Sequence, residues 1–310
     1  MERLVAVYNP VAGRGRARRM WPEVEKALRA VVTGLEVLRT TGRGHAEELA
    51  HRAALEGKAL VSVGGDGTAH EVANGILRAS GGKPGVPMGI IPLGNGDDFV
   101  KMLPPVTAVG SQPFDWKQAV AHIAAGNTLC FDACRAVHLA NGETRYFING
   151  LNLGFSAHAG YNFSTLPTYF TGLGGYLAAV LKTLWKYPLL RLAVSLDNCP
   201  AFSATTSMAA FMNGRCFGRA FWVCPQADAQ DGRLEIMVVK KVGRLTILQK
   251  IPKILRATHL QDPLIDWYQA QTVHITSPDE LIVEMDGEIP FRGVRELEIS
   301  VLPGALRVFC

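Results

Sequence analysis

A glycine cluster that contains one carboxylate is the part of this chain best suited to chemistry. Residues 61–63 predict a short strand, and the sequence Gly-Gly-Asp-Gly-Thr follows it at residues 64–68. Glycines let backbone N–H groups approach an anionic ligand because no Cβ stands in the way, and a helix N-terminus adds partial positive charge. Thr68 is suited to cap the helix that residues 70–79 predict. The segment therefore predicts a site for a phosphate-bearing ligand, with an ordinary strand-to-helix turn as the plainer alternative.

Asp66 is the only charged residue in this turn. A carboxylate without a partner among glycines has little use in packing, because burying a charge is costly. We therefore predict a functional role for Asp66. Two roles stay open: a metal ligand acting through water, or a group that orients the acceptor of a transferred phosphoryl group.

Three more motifs lie in a fixed order around this cluster. They are Tyr-Asn-Pro-Val-Ala-Gly at residues 8–13, Leu-Gly-Asn-Gly-Asp-Asp at 93–98 and Met-Asp-Gly-Glu at 285–288. In this order the four motifs resemble those of the diacylglycerol kinase catalytic family, the soluble bacterial lipid kinases that are similar to sphingosine kinases. The glycine cluster alone is shared with NAD kinases and, more loosely, with phosphofructokinases. The resemblance covers nearly the whole chain.

The resemblance implies an enzyme that uses ATP and Mg²⁺ and transfers the γ-phosphoryl group to a diacylglycerol-like lipid hydroxyl. It implies Glu288 as the proton acceptor, Asp286 in support, Asp66 as a third catalytic residue, and Asp98 on the acceptor side. Arg14 or Arg16 is expected to meet phosphate, because a guanidinium matches phosphate oxygens. The implied nucleotide-binding residues are Asn9, Gly13, Thr40, Gly64, Gly65, Asp66, Gly67, Thr68, Gly94 and Asn95.

The acidic residues near the end of the chain alternate along a predicted strand. Glu284, Asp286 and Glu288 would share one face of that strand if it stays regular, unless Gly287 bends it and redirects Glu288. A general base must come within hydrogen-bonding reach of the acceptor hydroxyl. An exposed acidic hairpin is the plainer alternative.

The chain departs from the family pattern at several positions. Asn95 and Asp97 stand where the family pattern has threonine and asparagine, and Asn152 and Ser156 replace a glycine and an aspartate of a second motif. These departures motivate a second hypothesis, a nucleotide-binding regulatory protein with impaired catalysis. A kinase for a soluble acceptor such as NAD is a third. The acceptor itself stays open among diacylglycerol, phosphatidylglycerol, a sphingoid base and an undecaprenol-like alcohol.

A further segment resembles the structural magnesium site of the family. Asp231 would supply a side-chain oxygen, and Asp228 and Arg233 would supply backbone carbonyls. Such oxygen ligands suit Mg²⁺. A plain Asp-Gly turn between strands is the equal alternative.

The elements that must position these residues fall into two groups. Residues 1–128 alternate between strands and helices, which predicts an α/β domain with a parallel Rossmann-like sheet, as in NAD kinases and phosphofructokinases. Residues 129–301 predict a mainly antiparallel β-sandwich that holds the lipid acceptor. By resemblance, residues 302–310 return to the first domain. A helix predicted near residues 245–257 carries an apolar stripe, and Pro252 is expected to kink or split it. The stripe comprises Ile247, Leu248, Ile251, Ile254 and Leu255.

Composition narrows the choice of partners. The 310 residues carry a formal net charge of +5, which suits nucleotides or a peripheral contact with an anionic membrane surface. No aromatic-interleaved basic motif supports nucleic acid binding. The six cysteines form no C-x-x-C pair, which favours a reduced, cytoplasmic protein. A homodimer stays open.

Overall fold

Two long strands take part in both structural units of this chain. The computed structural model describes residues 3–104, 114–164, 172–185, 189–218 and 220–310. One unit comprises Met1–Ala133 together with Leu302–Cys310, and the other comprises Cys134–Val301. Strand β5 (Thr128–His138) contains the division between the units, five residues after the boundary that the sequence suggests. Strand β13 (Glu288–Phe309) crosses the second division.

The first unit contains a parallel arrangement of four strands. Strand β1 pairs in parallel with both β2 and β3, and β3 pairs in parallel with β4. The end of β13 adds to this sheet, with Val308 beside Met88 of β4. The elements are β1 (Leu4–Tyr8), α1 (Ala12–Val31), β2 (Leu35–Arg39), α2 (His45–Leu55), β3 (Ala59–Gly64), α3 (Asp66–Ser80), β4 (Met88–Pro92), a 3-10 helix (Phe99–Met102) and α4 (Trp116–Ala125).

Two helix starts in this unit are special. Gly13, Arg14 and Gly15 have left-handed backbone angles, so the regular part of α1 begins at Arg16. Helix α3 begins at Asp66, and its N-cap residue is Gly65. The prediction that Thr68 caps this helix is therefore wrong. Its hydroxyl lies inside the first turn and accepts a hydrogen bond from a neighbouring loop instead.

The second unit is built from antiparallel strand pairs. Strands β5 and β6 form the hairpin that the Asn-Gly turn at 141–142 predicts. The strand order that follows is β11-β10-β9-β7-β12-β13, and β8 pairs with β9 and β12. The elements are β6 (Glu143–Phe147), β7 (Gly150–Gly154), α5 (Phe155–Ser164), α6 (Gly172–Trp185), β8 (Leu190–Leu196), β9 (Phe202–Met212), β10 (Leu234–Lys240), α7 (Arg244–Leu255), β11 (Ile265–Ala270), β12 (Thr272–Met285) and β13.

The faces of strand β9 supply two separate cores. Ala209 and Phe211 pack into a large cluster between strands, whereas Met208, Ala210 and Met212 pack under helices α6 and α7. This alternation follows from the two-residue period of a strand. Helix α7 continues through Pro252 to Leu255, so proline does not split it, and the alternative of a kink stays a prediction. No helix in the described part of the chain is long and apolar enough to cross a membrane.

Candidate nucleotide and acceptor sites

Three turns meet at the carboxyl ends of β1, β3 and β4 in the first unit. The Asn9 side-chain amide donates to the Thr68 hydroxyl across 3.0 Å, which joins the turn after β1 to the start of α3. The Leu93 backbone N–H donates to the Gly64 carbonyl across 2.7 Å, which joins the turns after β3 and β4. Because the carboxyl ends of parallel strands share one edge of a sheet, the sequence predicts that the motifs after β1, β3 and β4 converge, and these three motifs do lie together.

The turns approach one another so closely that only glycine fits at their contacts. A Cβ on Gly65 would lie 2.9 Å from the Gly94 Cα, and a Cβ on Gly94 would lie 2.4 Å from the Gly65 Cα. A Cβ on Gly13 would lie 2.2 Å from the Leu93 carbonyl oxygen. We call Gly13, Gly65 and Gly94 the glycine cradle. Bare backbone of this kind, beside the N-terminus of α3, fits a phosphate group.

The cradle makes a testable prediction about Gly13. Gly13 and Gly15 both have positive φ angles, but nothing lies within 4 Å of a Cβ on Gly15. We expect Gly15→Ala to cost about 1–2 kcal/mol of stability, which is the penalty of a left-handed backbone. Gly13→Ala is expected to cost about 2–5 kcal/mol, because overpacking against Leu93 is added. Urea unfolding of the two variants measures the difference, and equal losses would contradict the close approach.

Asp66 is the first residue of α3 and faces the loop after β4. Its Oδ1 accepts the Asp98 backbone N–H across 2.5 Å, and a Cβ on Gly96 would lie 2.5 Å from its Oδ2. Burial, followed by the nearby carboxylates of Asp98 and Asp97, raises the pKa of Asp66 to about 8. A bound cation would stabilise the ionised form of Asp66, because its positive charge would compensate the negative charge of the neighbouring carboxylates.

Asp97, one of the departures from the family pattern, closes the loop that carries Gly94. Its backbone is left-handed, and its Oδ1 accepts the Gly94 N–H across 3.0 Å. Burial raises the pKa of Asp97 to about 6, and the Gly94 hydrogen bond and the Arg16 charge oppose that rise. Asp98 forms an ion pair with Lys101 at 2.5 Å. The carboxylate that Asp97 adds relative to the family pattern is therefore engaged in a structural hydrogen bond with the Gly94 N–H.

The remaining predicted nucleotide residues lie at the same edge of the sheet. Thr40 follows β2, is buried, and donates its backbone N–H to the Tyr8 carbonyl across 2.8 Å. Asn95 is exposed in the loop after β4. The Arg16 guanidinium lies 3.5 Å from the Gly94 carbonyl, so one of the two predicted arginines reaches the cradle. Binding of nucleotide by these residues stays a prediction.

In the second unit, the late acidic motif forms a tight hairpin turn. Met285 pairs with Glu288, and the two residues between them, Asp286 and Gly287, have φ angles of 49° and 91°. Two left-handed residues are typical of a two-residue hairpin loop. Of the two alternatives, the strand therefore does not stay regular: the chain reverses direction at Asp286 and Gly287, which redirects Glu288. Glu288 begins β13 and is partly exposed.

Asp286 holds the segment between β6 and β7. Its carboxylate accepts backbone N–H groups from Ile148 at 2.9 Å, Asn149 at 3.0 Å and Gly150 at 2.9 Å. These bonds engage both carboxylate oxygens. The contacts show a loop-anchoring role for Asp286, and its catalytic support of Glu288 stays a prediction.

Glu284 holds the same hairpin turn from within β12. This buried side chain accepts the Asn152 amide at 2.6 Å through one oxygen and the Gly287 N–H at 2.5 Å through the other. Asn152 is its cross-strand partner on β7. The only sequence signal for the Asn152–Glu284 pair is that Asn152 stands where the family pattern has glycine. The turn before Glu288 is thus fixed by two carboxylates.

The Asp286 contacts predict a large effect of removing one charge. In Asp286→Asn the left-handed backbone is retained, since asparagine tolerates it. The amide nitrogen would face a backbone N–H, so at least one hydrogen bond to a charged group is lost. We expect a stability loss of about 1.5–3 kcal/mol, measured by urea unfolding. A loss below about 0.5 kcal/mol, the range of ordinary surface substitutions, would contradict the anchoring role.

The predicted magnesium segment forms an exposed turn. The Asp231 Oδ1 accepts the Arg233 N–H across 2.9 Å, and the Asp228 Oδ1 accepts the Gln230 N–H across 3.1 Å. The Asp228 carbonyl accepts the Asp231 N–H across 3.4 Å. These bonds describe an Asp-Gly turn, which leaves the second Asp231 oxygen and the Arg233 carbonyl to be tested as ligands. Magnesium binding by Asp228, Asp231 and Arg233 stays a prediction.

An apolar cavity of about 80 Å³ lies in the second unit beneath helices α6 and α7. Its walls come from the start of α5, from β9 and β10, and from the inner faces of α6 and α7. The side chains that line it include Phe155, Val180, Met208, Ile247, Ile251 and Ile254. Ser156, the residue at the family's aspartate position, also lines it. The cavity is suited to hydrocarbon rather than to a charged group.

A parallel sheet with a glycine cradle, followed by an antiparallel unit with an apolar cavity, is a two-unit fold that also occurs in solved structures. A diacylglycerol kinase from Bacillus anthracis has this fold, with a TM-score of 0.73 at 22% identity over 99% of this chain and 96% of that one. An NAD kinase from Archaeoglobus fulgidus, solved with ATP, gives a TM-score of 0.55 at 13% identity over 99% and 93% of the two chains.

Sequence comparison identifies the family. Residues 3–136 match the diacylglycerol kinase catalytic domain, and residues 151–310 match the YegS C-terminal NAD kinase beta sandwich-like domain. The chain belongs to this family of lipid kinases. It is 28% identical to the diacylglycerol kinase of Mycobacterium tuberculosis, over 99% of this chain and 94% of that protein.

Proposed function

We propose that this protein is an ATP-dependent kinase that transfers the γ-phosphoryl group to the hydroxyl of a diacylglycerol-like lipid. The observation that carries the proposal is the glycine cradle with Asp66 beside it. Backbone approach at Gly13, Gly65 and Gly94 suits phosphate groups, and the Asp66 carboxyl lies next to them. Membership in the family supports the same reaction class.

The residues at the cradle fit a nucleotide that carries a divalent cation. Mg²⁺ would neutralise phosphate charge and polarise the transferred group when bound. Asp66 would hold or orient that cation, and the Asn9 and Thr68 side chains would fix the turns on either side. The Asp98–Lys101 ion pair would set the charge on the acceptor side.

Glu288 is proposed as the residue that takes the proton of the acceptor hydroxyl. Support comes from its place directly after a turn that Glu284 and Asp286 hold in one conformation. The apolar cavity favours a lipid over a soluble acceptor such as NAD, because its walls offer hydrocarbon contacts. A regulatory protein with impaired catalysis stays the second candidate, motivated by Asn95, Asp97 and Ser156.

Transfer from radiolabelled ATP to a panel of lipids tests the proposal. The panel comprises diacylglycerol, phosphatidylglycerol, a sphingoid base and an undecaprenol-like alcohol. We expect Mg²⁺-dependent labelling of one lipid class, and we expect no labelling of NAD. Nucleotide binding without transfer to any acceptor would instead support the regulatory candidate.

We further propose a cytoplasmic protein that contacts membrane peripherally. All six cysteines are free, which supports a reducing compartment. A lipid acceptor also requires contact with a bilayer surface.

A further inference from the structure

Exposed apolar side chains concentrate on two helices of the second unit. Trp185 is 83% exposed, Leu245 75% and Leu181 57%. Leu248 and Leu260 are also exposed, at 37% and 39%. Five of the ten large apolar side chains that are exposed in the described part of the chain therefore lie on α6, on α7 or just after α7. Such a concentration marks an interaction surface, whereas single exposed apolar residues do not.

These side chains share the outward surface of one helical layer. Helix α6 buries Val180 and Leu184, and α7 packs Ile247, Ile251 and Ile254 against the same cluster. That cluster includes residues of β9 and β10, so both helices cover the same sheet face. Each helix therefore turns its opposite side outward. Leu248, which the sequence places on the same apolar stripe as Ile247 and Ile251, is exposed, so the stripe does not face the core as a whole.

The exposed apolar residues form a neighbouring pair on each helix. Leu181 and Trp185 are four residues apart on α6, and Leu245 and Leu248 are three apart on α7. Residues at these spacings are neighbours on a helix surface. We call this surface the two-helix face. It comprises the outward residues Leu181, Trp185, Leu245 and Leu248 and the exposed cations Lys182, Lys241 and Arg244.

Exposed cations accompany the exposed apolar side chains of the two helices. Residues 153–196 and 236–261 contain nine lysines and arginines and neither aspartate nor glutamate. Because the whole chain has a net charge of +5, all other residues together carry a net charge of −4. Lys182 on α6, Arg244 on α7 and Lys241 just before α7 are exposed. These three cations therefore lie on or next to the helices that carry the exposed apolar side chains, whereas Lys240, Lys250 and Lys253 form ion pairs with Asp266 or Asp262.

We propose that the two-helix face docks on an anionic lipid bilayer. Apolar side chains flanked by cations lie in the bilayer interface and bind anionic lipid more strongly than neutral lipid. Tryptophan favours this region because its ring is apolar and its N–H is polar. The docking would place the apolar cavity, which lies directly beneath the two helices, close to the bilayer. This inference rests on the proposed function in naming the surface from which the lipid acceptor is taken.

Vesicle flotation of the full chain tests the docking without any activity measurement. The probes are vesicles of phosphatidylcholine alone and vesicles in which part of it is replaced by phosphatidylglycerol. We expect the wild type to bind the anionic vesicles at least tenfold more tightly. Lys182→Gln with Arg244→Gln is expected to weaken that binding about fivefold for each cation removed. Trp185→Ser with Leu245→Ser is expected to weaken it at least tenfold.

Leu55→Ser provides the matched control, since Leu55 is 65% exposed and belongs to the first unit rather than to the two-helix face. We expect it to bind anionic vesicles like the wild type. Equal binding by the Trp185/Leu245 variant would overturn the proposal, as would equal binding of the wild type to neutral vesicles. Sedimentation without lipid tests whether the two-helix face instead binds a second copy of the chain. If the wild type self-associates and the Trp185/Leu245 variant does not, the face is a dimer interface and the docking proposal is overturned. A protein that floats with vesicles but phosphorylates no lipid would overturn the kinase proposal alone.

Discussion

Replacing Glu288 by glutamine is expected to lower kcat for lipid phosphorylation by about 10²–10⁴-fold, the usual contribution of a general base. The amide has nearly the same shape as the carboxyl group but cannot accept the proton of the acceptor hydroxyl. The residue begins β13 after a turn that Glu284 and Asp286 hold, so the backbone should keep its conformation. ATP affinity should stay within about twofold. Steady-state transfer from radiolabelled ATP gives kcat, and equilibrium binding of ATP gives the affinity.

Glu280→Gln is the matched control for this experiment. Glu280 lies on β12, leading into the same hairpin, but is exposed and pairs only loosely with Arg295, at 3.4 Å. The charge change is identical, and exposed ion pairs contribute little to stability. We expect wild-type kcat in this control. A Glu288→Gln enzyme that keeps its kcat would exclude Glu288 as the proton acceptor.

Replacing Asp66 by asparagine is expected to lower kcat/KM by about 10²–10³-fold and, at the same time, to stabilise the unliganded protein. Removal of one preorganised charge at a phosphoryl-transfer site has an effect of this size. The stabilisation follows from the raised pKa of Asp66, about 8, because its ionised form is disfavoured by burial and by Asp97 and Asp98. Asparagine can still accept the Asp98 N–H through its carbonyl oxygen.

The pH dependence of this stabilisation has a definite sign. In the unfolded chain the carboxyl group of Asp66 ionises near its ordinary pKa of 3.8, whereas in the folded protein it keeps its proton until about pH 8. The folded state therefore binds the extra proton between these values, and wild-type stability falls as pH rises through that range. The gain in Tm from Asp66→Asn should be small near pH 4 and largest at about pH 8.

Thermal unfolding of both proteins at pH 4.5, 6 and 8, without nucleotide, measures this gain. Carboxyl groups distant from the cradle titrate alike in both proteins, so the difference in Tm reports Asp66 together with its influence on Asp97 and Asp98. A variant that is less stable than the wild type at pH 8 would show that the carboxylate is favourable in the fold. That outcome would contradict the crowded, buried charge described at the cradle.

Local elements and the meeting of the first three motifs could be predicted from the sequence. Strand β1, helix α4 and strand β8 lie at the predicted residues, because hydrophobic period and capping signals are local. The approach of Asn9 to Thr68 follows from parallel strands, whose carboxyl ends share one edge. The order of the motifs is recognised by resemblance to the family. The structure shows why two of them need glycine, because Gly65 and Gly94 lie in direct contact.

Other features could not be predicted, since they depend on contacts between distant residues. The sequence predicts one strand over residues 144–153, but the chain forms β6 and β7 because Asp286 takes the N–H groups of residues 148–150. Glu71 accepts the backbone N–H groups of Gly44 and Ala46 and so holds the N-terminus of α2. No spacing pattern in the sequence indicates that Asp286 or Glu71 accepts these backbone N–H groups. The sequence does not predict helix α5 or strand β11 either, and α5 begins within the second motif, next to Ser156.

The passage of β13 through both units has a consequence for biosynthesis. Residues 302–310 complete the first unit: Val308 pairs with Met88, the Gly304 N–H reaches the Asp132 carboxylate, and the Cys310 N–H reaches the Asn127 carbonyl. The first half of the chain therefore leaves the ribosome with an unfinished sheet edge. The ribosome must translate the entire second unit before residues 302–310 can cover that edge. Completion of the first unit therefore waits for the last residues of the chain.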